Sequence, residues 1–280
     1  MKVIRTSADL NSFLREVKRE HSDYQIGFVP TMGALHAGHL ALIDVAKKSA
    51  EIVVCSIFVN PTQFNNKKDL ERYPRNEQND INLLEKSGCD VAFIPTVKDV
   101  YPVESHDYHV DLGPLDKVME GKFRPGHFRG VAMVVERFFK LVRPDIAFFG
   151  EKDFQQLAVI RRLVDTKKMK VKIVGVPTLR SRGGLALSSR NELLSPEQKE
   201  DALIIYKTLS YGREVAGEAE NAEEVRAKML KLFSTGKLQL EYLDIVDSNT
   251  FETPSGRKNW QACIAAYCGT TRLIDNMKLS

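Results

Sequence analysis

The 280-residue chain is short of several things that would direct its reading elsewhere. It has four cysteines, at 55, 89, 263 and 268, none in Cys-x-x-Cys spacing and most inside apolar runs. That excludes a disulfide scaffold or a zinc ribbon and predicts buried free thiols. No apolar run approaches the ~18 residues of a membrane span, and Met1-Lys-Val-Ile-Arg-Thr-Ser-Ala-Asp9 leads into a charged amphipathic stretch, not a secretory leader. A soluble, cytoplasmic protein is expected. Lys and Arg number 41 against 37 Asp and Glu, a net +4 with no long run of one sign. The excess is too mild to imply nucleic acid, although local basic clusters can hold small anions. The length allows one large and one smaller domain.

What is present concentrates around Phe28-Val-Pro-Thr-Met-Gly-Ala-Leu-His36-Ala-Gly-His39-Leu. Ile26, Phe28 and Val29 suit a buried strand that Pro30 and Gly33 end, and Leu40, Leu42, Ile43, Val45 and Ala46 follow at helical spacing. A helix opening at the end of a parallel strand presents unsatisfied N–H groups and its positive dipole end, where phosphate is favoured. His36 and His39 stand at that opening around Gly38, which leaves a ligand room to approach. No carboxylate or cysteine lies at metal-ligand spacing from the pair, so phosphate handling is expected there and zinc is not.

Further along, Thr6-Ser-Ala-Asp9 opens an amphipathic helix, and 52–59 is a near-continuous β-branched run. Strand, helix, strand implies a parallel sheet with right-handed crossovers. Gln63, in Asn60-Pro-Thr-Gln63-Phe64, leaves the carboxyl end of the second strand, where open α/β sheets bind ligands. A helix within 69–88 carries Asp80, and 91–95 reads as a third strand. The pattern loosens over 96–129, with a short strand expected at 108–112. A basic, glycine-rich segment, Arg124-Pro-Gly-His127-Phe-Arg129-Gly130, follows Glu120. Residues 145–156, ending Gly150-Glu-Lys152-Asp153-Phe-Gln155-Gln156, repeat the order of strand, glycine, polar cluster and helix. After a strand at 171–177, Ser188-Ser189-Arg190-Asn191 offers hydroxyls and a guanidinium fork suited to phosphate oxygens. Helices at 196–217 and 222–234 then precede two alternating strands, 240–247 and 263–275, as in an α+β unit.

Five segments, Pro30-Thr-Met-Gly-Ala-Leu-His-Ala-Gly-His39, Asn60-Pro-Thr-Gln-Phe64, Pro125-Gly-His-Phe-Arg-Gly130, Phe149-Gly-Glu-Lys-Asp-Phe-Gln-Gln156 and Leu185-Ala-Leu-Ser-Ser-Arg-Asn191, resemble in this order the pantoate–β-alanine ligase (pantothenate synthetase) family. The resemblance implies an α/β fold, with a Rossmann-like parallel sheet in an N-terminal ATP- and pantoate-binding domain (1–180) and a smaller C-terminal α+β lid domain (181–280). It implies a homodimer using Mg²⁺ and ATP, with pantoate and β-alanine as substrates and no nucleic acid or membrane partner. Pantoate would be adenylated with release of pyrophosphate, and the amine of β-alanine would then displace AMP. By the same resemblance His36, His39, Lys152 and Arg190 are catalytic. ATP would be held by these together with Met32, Gly150, Asp153, Val176, Ser188 and Ser189. Gln63, Gln156 and the Met32 N–H would hold pantoate, and Asp80 would reach Mg²⁺ through water. His127 and Arg129 are expected in a lid or pocket.

Two other readings remain open: a nucleotidyltransferase that adenylylates a phosphate, and a catalytically silent nucleotide- or RNA-binding module. The family usually reads Arg-Glu-x-Asp-Gly-Leu-Ala where this chain has Arg180-Ser-Arg-Gly-Gly-Leu-Ala186. Loss of both acids is expected to leave that hinge looser and more positive.

Overall fold

The apolar β-branched runs become strands of one parallel sheet in the computed structural model, which describes residues 1–64, 70–71, 73–102 and 108–280. The strands are β1 (Lys2–Ile4), β2 (Ile26–Thr31), β3 (Ile52–Ile57), β4 (Val91–Phe93), β5 (Ile146–Gly150) and β6 (Lys172–Val176), in the order β1-β4-β3-β2-β5-β6. The chain winds from β2 through β3 to β4 on one side and returns to β5 on the other. The order therefore reverses between β2 and β5, and the crevice at their carboxyl ends is where such sheets take ligands. β1 is an edge strand of three residues, too short for its periodicity to be read from sequence.

Pro30 does not end β2 as expected but lies within it, opposite Ser56 of β3. β2 pairs with β5 only at Gly27 and Phe28, so a missing N–H at Pro30 interrupts no ladder on that side.

Helices α1 (Ser7–Glu20), α2 (Ala37–Lys47), α3 (Glu77–Lys86), α4 (Val97–Val100), α5 (Met119–Phe123), α6 (His127–Val142) and α7 (Phe154–Thr166) accompany this sheet. Leu42, Ile43 and Ala46 of α2 pack with Val29, Cys55 and Leu84 in one core cluster. Phe138 of α6 sits against Phe28, Phe58 and Phe93, with ring centroids 5.6, 5.8 and 6.3 Å away. The strand expected at 108–112 does not form. Side chains claim this segment instead: Arg162 donates to the carbonyl and carboxylate of Asp111 at 2.9 and 3.0 Å, and the Tyr108 hydroxyl donates to Glu136 at 2.8 Å.

The chain divides into two units. The first is Met1–Asp116, Glu120–Glu151 and Gln155–Pro177; the second is Lys117–Met119, Lys152–Phe154 and Thr178–Ser280. The second unit carries α8 (Pro196–Asp201), α9 (Leu203–Val215) and α10 (Ala222–Phe233) with an antiparallel sheet of β7 (Gln239–Asp247), β8 (Trp260–Cys268) and β9 (Thr271–Lys278). What reads in sequence as one strand over 263–275 is a hairpin. Gly269, at φ 59°, turns it in the left-handed region that only glycine enters without strain. Leu209, Met229, Leu243, Trp260 and Ile264 fill the core between helices and sheet. All four cysteines are buried and free. No described helix is long and apolar enough to cross a membrane.

Candidate active site

The β2 carboxyl end turns through two consecutive left-handed residues, Gly33 at φ 78° and Ala34 at φ 50°. Such backbone is costly for alanine and persists only where its surroundings hold it. Asp80, in the first turn of α3 and 1% exposed, does so: its Oδ2 accepts the Ala34 N–H at 2.9 Å and its Oδ1 the Leu35 N–H at 2.7 Å. Burial raises the Asp80 carboxyl above its ordinary value, and these two N–H donors offset part of that rise. A Cβ at position 33 would stand 2.9 Å from Asp80 Oδ2, so glycine is required for room as well as for φ.

The turn delivers the chain to α2, which His36 caps. His36 Nδ1 accepts the Gly38 N–H at 3.1 Å, and His39 Nδ1 accepts the His36 N–H at 3.3 Å, a reciprocal capping box built from two imidazoles. The rings lie 4.1 Å apart, tilted by 41°. Because each ring accepts at Nδ1, its neutral form carries the proton on Nε2. The cap thus turns two histidines into two oriented N–H donors at a positive helix end.

Gln63 is buried in the 3₁₀ turn Pro61–Gln63, its Nε2 donating to Met32 Sδ at 2.6 Å. His127 and Gly130 at the start of α6 hold that turn: His127 Nδ1 lies 2.8 Å from the Gln63 carbonyl, and Asn60 Nδ2 donates to the Gly130 carbonyl at 3.3 Å. A Cβ at position 130 would collide with the Thr62 carbonyl oxygen, so α6 can approach only through glycine. His127 is therefore a buried support for Gln63, and Arg129 is exposed. Of the two glutamines in α7, Gln155 is buried with its amide committed to the Leu115 carbonyl and the Glu120 N–H, at 2.7 and 3.0 Å. Gln156 is half-buried. Gly150 and Val176 pair at the ends of β5 and β6, and space is open where a Cβ of Gly150 would stand.

In the second unit, Lys152, Ser188, Arg190, Asn191, Arg272 and Asp275 line one cleft. Ser188 caps the 3₁₀ turn Ser189–Leu193 through the Arg190 N–H at 3.3 Å, and Asn191 donates to the Ala186 carbonyl at 3.0 Å. The Lys152 ammonium lies 3.5 Å from Asp153 Oδ1. Arg272, not singled out in sequence, is held by Glu241, with Nε donating at 2.9 Å. Its only signal is that it is one of two charged residues, Arg272 and Asp275, in a strand, 263–275, otherwise reading as core.

The segment 180–186 is not loose. Ser181 N–H donates to the Leu185 carbonyl and Gly184 N–H to the Ser181 carbonyl, both at 2.9 Å, and Arg180 bridges Ala186. A Cβ on Gly184, at φ 99°, would run into the Tyr206 ring, so this glycine serves a close approach. Arg182 is exposed, and the added charge faces solvent.

A family model described as Pantoate-beta-alanine ligase matches residues 2–278. The chain is 46% identical to the pantothenate synthetase of Bacteroides fragilis over 99% of both chains. To that of Christiangramia forsetii it is 45% identical over 100% of both. Among solved structures, a pantothenate synthetase from Thermus thermophilus matches with a TM-score of 0.91 and 41% identity, covering 100% of this chain and 99% of the other. A pantoate-beta-alanine ligase from Francisella tularensis, complexed with beta-gamma ATP and beta-alanine, matches with a TM-score of 0.82 and 35% identity, covering 100% and 98%.

Proposed function

Because the chain belongs to the pantoate–beta-alanine ligase family, we propose that it condenses pantoate with β-alanine at the expense of ATP, through the residues described above. A carboxylate cannot acylate an amine directly, since oxide would have to leave. Attack of the pantoate carboxylate on the α-phosphorus of ATP expels pyrophosphate and gives an acyl adenylate. The neutral amine of β-alanine then attacks the acyl carbon, AMP departs, and the amine proton passes to solvent.

The observation that carries this reading is the pair of imidazoles locked as Nε2–H donors by their own capping box. Donors preset toward phosphate oxygens stabilise the charge that grows as the α-phosphorus becomes five-coordinate, and each is worth about 10²–10³ in rate. Lys152, Ser188, Ser189 and Arg190 hold the outer phosphates. Gly150, Asp153 and Val176 receive the nucleoside, Gly150 and Asp153 through the ribose hydroxyls. The neutral amides of Gln63 and Gln156 hold pantoate, and the Met32 N–H faces its carboxylate. Two neutral amides suit the hydroxyls of a hydroxy acid better than the phosphate acceptor of a nucleotidyltransferase.

Magnesium supplies charge neutralisation on the phosphates. Among the described residues no three His, Cys, Asp or Glu side chains cluster to hold a metal. Such an ion would be held mainly by phosphate oxygens and water. Asp80, whose two oxygens hold the Ala34 and Leu35 N–H groups, would reach that ion through water. A cytoplasmic homodimer completes the proposal.

The test is pyrophosphate release from MgATP, with pantoate present or absent, before β-alanine is added. Pantoate-dependent release of about one equivalent per site, followed by turnover and AMP once β-alanine is supplied, is expected. Folded protein that binds ATP yet releases no pyrophosphate would overturn the proposal.

A further inference from the structure

Two adjacent residues of β9 tie down two distant segments of the second unit. Asp275, 5% exposed, accepts the two terminal guanidinium nitrogens of Arg180 at 2.5 and 3.0 Å. Arg180 stands at the base of the closed 180–186 turn that leads to Ser188, Ser189 and Arg190. The next residue, Asn276, is 9% exposed and donates Nδ2 to the main-chain carbonyl of Lys152 at 2.8 Å. Its Oδ1 accepts Gln261 Nε2 at 2.7 Å. A carbonyl on one side and an amide donor on the other leave this side chain a single orientation.

The bond to Lys152 serves no strand ladder, for it joins residues 124 positions apart. Lys152 itself rides on a 3₁₀ turn of three residues, Glu151–Asp153, too short to hold its own geometry. A lysine has a long, freely rotating stem, so where its ammonium dwells depends on how firmly its backbone is held. Lys152, Arg190 and Asp275 line the same cleft. One step along a rigid antiparallel strand therefore holds both the lysine segment and the base of the serine and arginine loop.

We propose that Asn276 is a positioning residue for Lys152 and that, with Asp275, it sets the separation of the Lys152 ammonium from Ser188 and Arg190. This rests on the assignment of Lys152 to the phosphates of ATP. Asn276 acts through the lysine and does not touch substrate. Its removal therefore weakens ATP handling and leaves pantoate handling alone.

The experiment compares wild type, Asn276→Asp, Asn276→Ser, Lys152→Met and the two double variants by equilibrium ATP binding and by pyrophosphate release with ATP and pantoate varied separately. Asn276→Asp keeps the volume and the acceptor for Gln261 but sets an oxygen against the Lys152 carbonyl. Asn276→Ser removes the reach without adding charge, and serves if the aspartate variant does not fold. Each single Asn276 change is expected to weaken ATP binding and raise the KM for ATP by about tenfold, the scale of one lost buried hydrogen bond, with the KM for pantoate unchanged. In the Lys152→Met background neither change should weaken ATP binding further, because the two residues act as one unit. Equal rises in both KM values, an undiminished loss in the Lys152→Met background, or no effect of either change would overturn the positioning role while leaving the ligase reading intact. Unaltered ATP binding and turnover in Lys152→Met would remove the phosphate assignment of Lys152 and the positioning role with it.

Discussion

Two regions of this protein are proposed to meet anions, and they are built in opposite ways. The His36 and His39 site is made by four consecutive residues at a helix start, each ring bonded to backbone within three positions. The Lys152 cleft is gathered from positions 152, 185–191, 205 and 272–275, and held by bonds spanning 95 and 124 residues. A local site needs a correct turn and little else. A gathered site needs an entire sheet in register, and each of its anchors is itself a buried polar group that must stay satisfied.

This difference predicts where each region breaks. The largest effect is expected at an anchor of the gathered site: Asp275→Ala takes the only carboxylate paired with Arg180 among the described residues, leaving its guanidinium the Gly184 and Asn276 carbonyls and the Tyr206 ring in a mostly buried place, and should cost about 3 kcal/mol of stability, read by chemical denaturation. A loss comparable to that of an exposed ion pair would show that the second unit does not depend on this anchor. Next is His36→Asn, which keeps a good helix cap but has no imidazole donor. Its stability should stay within about 0.5 kcal/mol of wild type while kcat for adenylate formation falls about 10²-fold. His36→Ala should lose the cap as well, about 1 kcal/mol. Equal kcat in wild type and His36→Asn would reduce the pair to a structural cap.

The smallest effect concerns pH and the Asp80 brace. Its carboxyl is raised above 3.8 by burial, so the folded state binds this proton more tightly than the unfolded one. Stability from this group is fully present below pH 3.8 and is lost as pH rises through its folded value. The stability of wild type relative to Asp80→Asn should accordingly fall over that interval and then level off. A difference that instead grows with pH would mean that the Ala34 and Leu35 N–H groups outweigh burial.

Much of the parallel sheet was legible because β2, β3 and β5 are largely buried and read as apolar runs. The His pair was legible for a related reason, since its strand, turn and helix start are contiguous. Other features were not. Residues 263–275 read as one strand because the turn, Gly269-Thr270, is only two residues between two runs of similar alternation. Residues 108–112 read as a strand because nothing local announces that Arg162 and Glu136 take its polar groups. Gly183 and Gly184 suggest looseness until Tyr206, packed where a Cβ would be, shows why Gly184 is there. The family resemblance places Asp80 near a cation through water, whereas the fold uses it to hold a strained turn.

Sequence by itself determined the central strands, the helix opening at His36 and the family resemblance, because these depend on periodicity, on residues a few positions apart and on motifs in fixed order. Tertiary structure alone decided the strand order that opens a crevice between β2 and β5, and the membership of Lys152–Phe154 in the second unit. It also decided the roles of His127, Arg180, Asp275 and Asn276. Those depend on which buried donor finds which acceptor across 64, 95 and 124 residues. Hydrogen bonding at that range is set by packing, which no local pattern encodes.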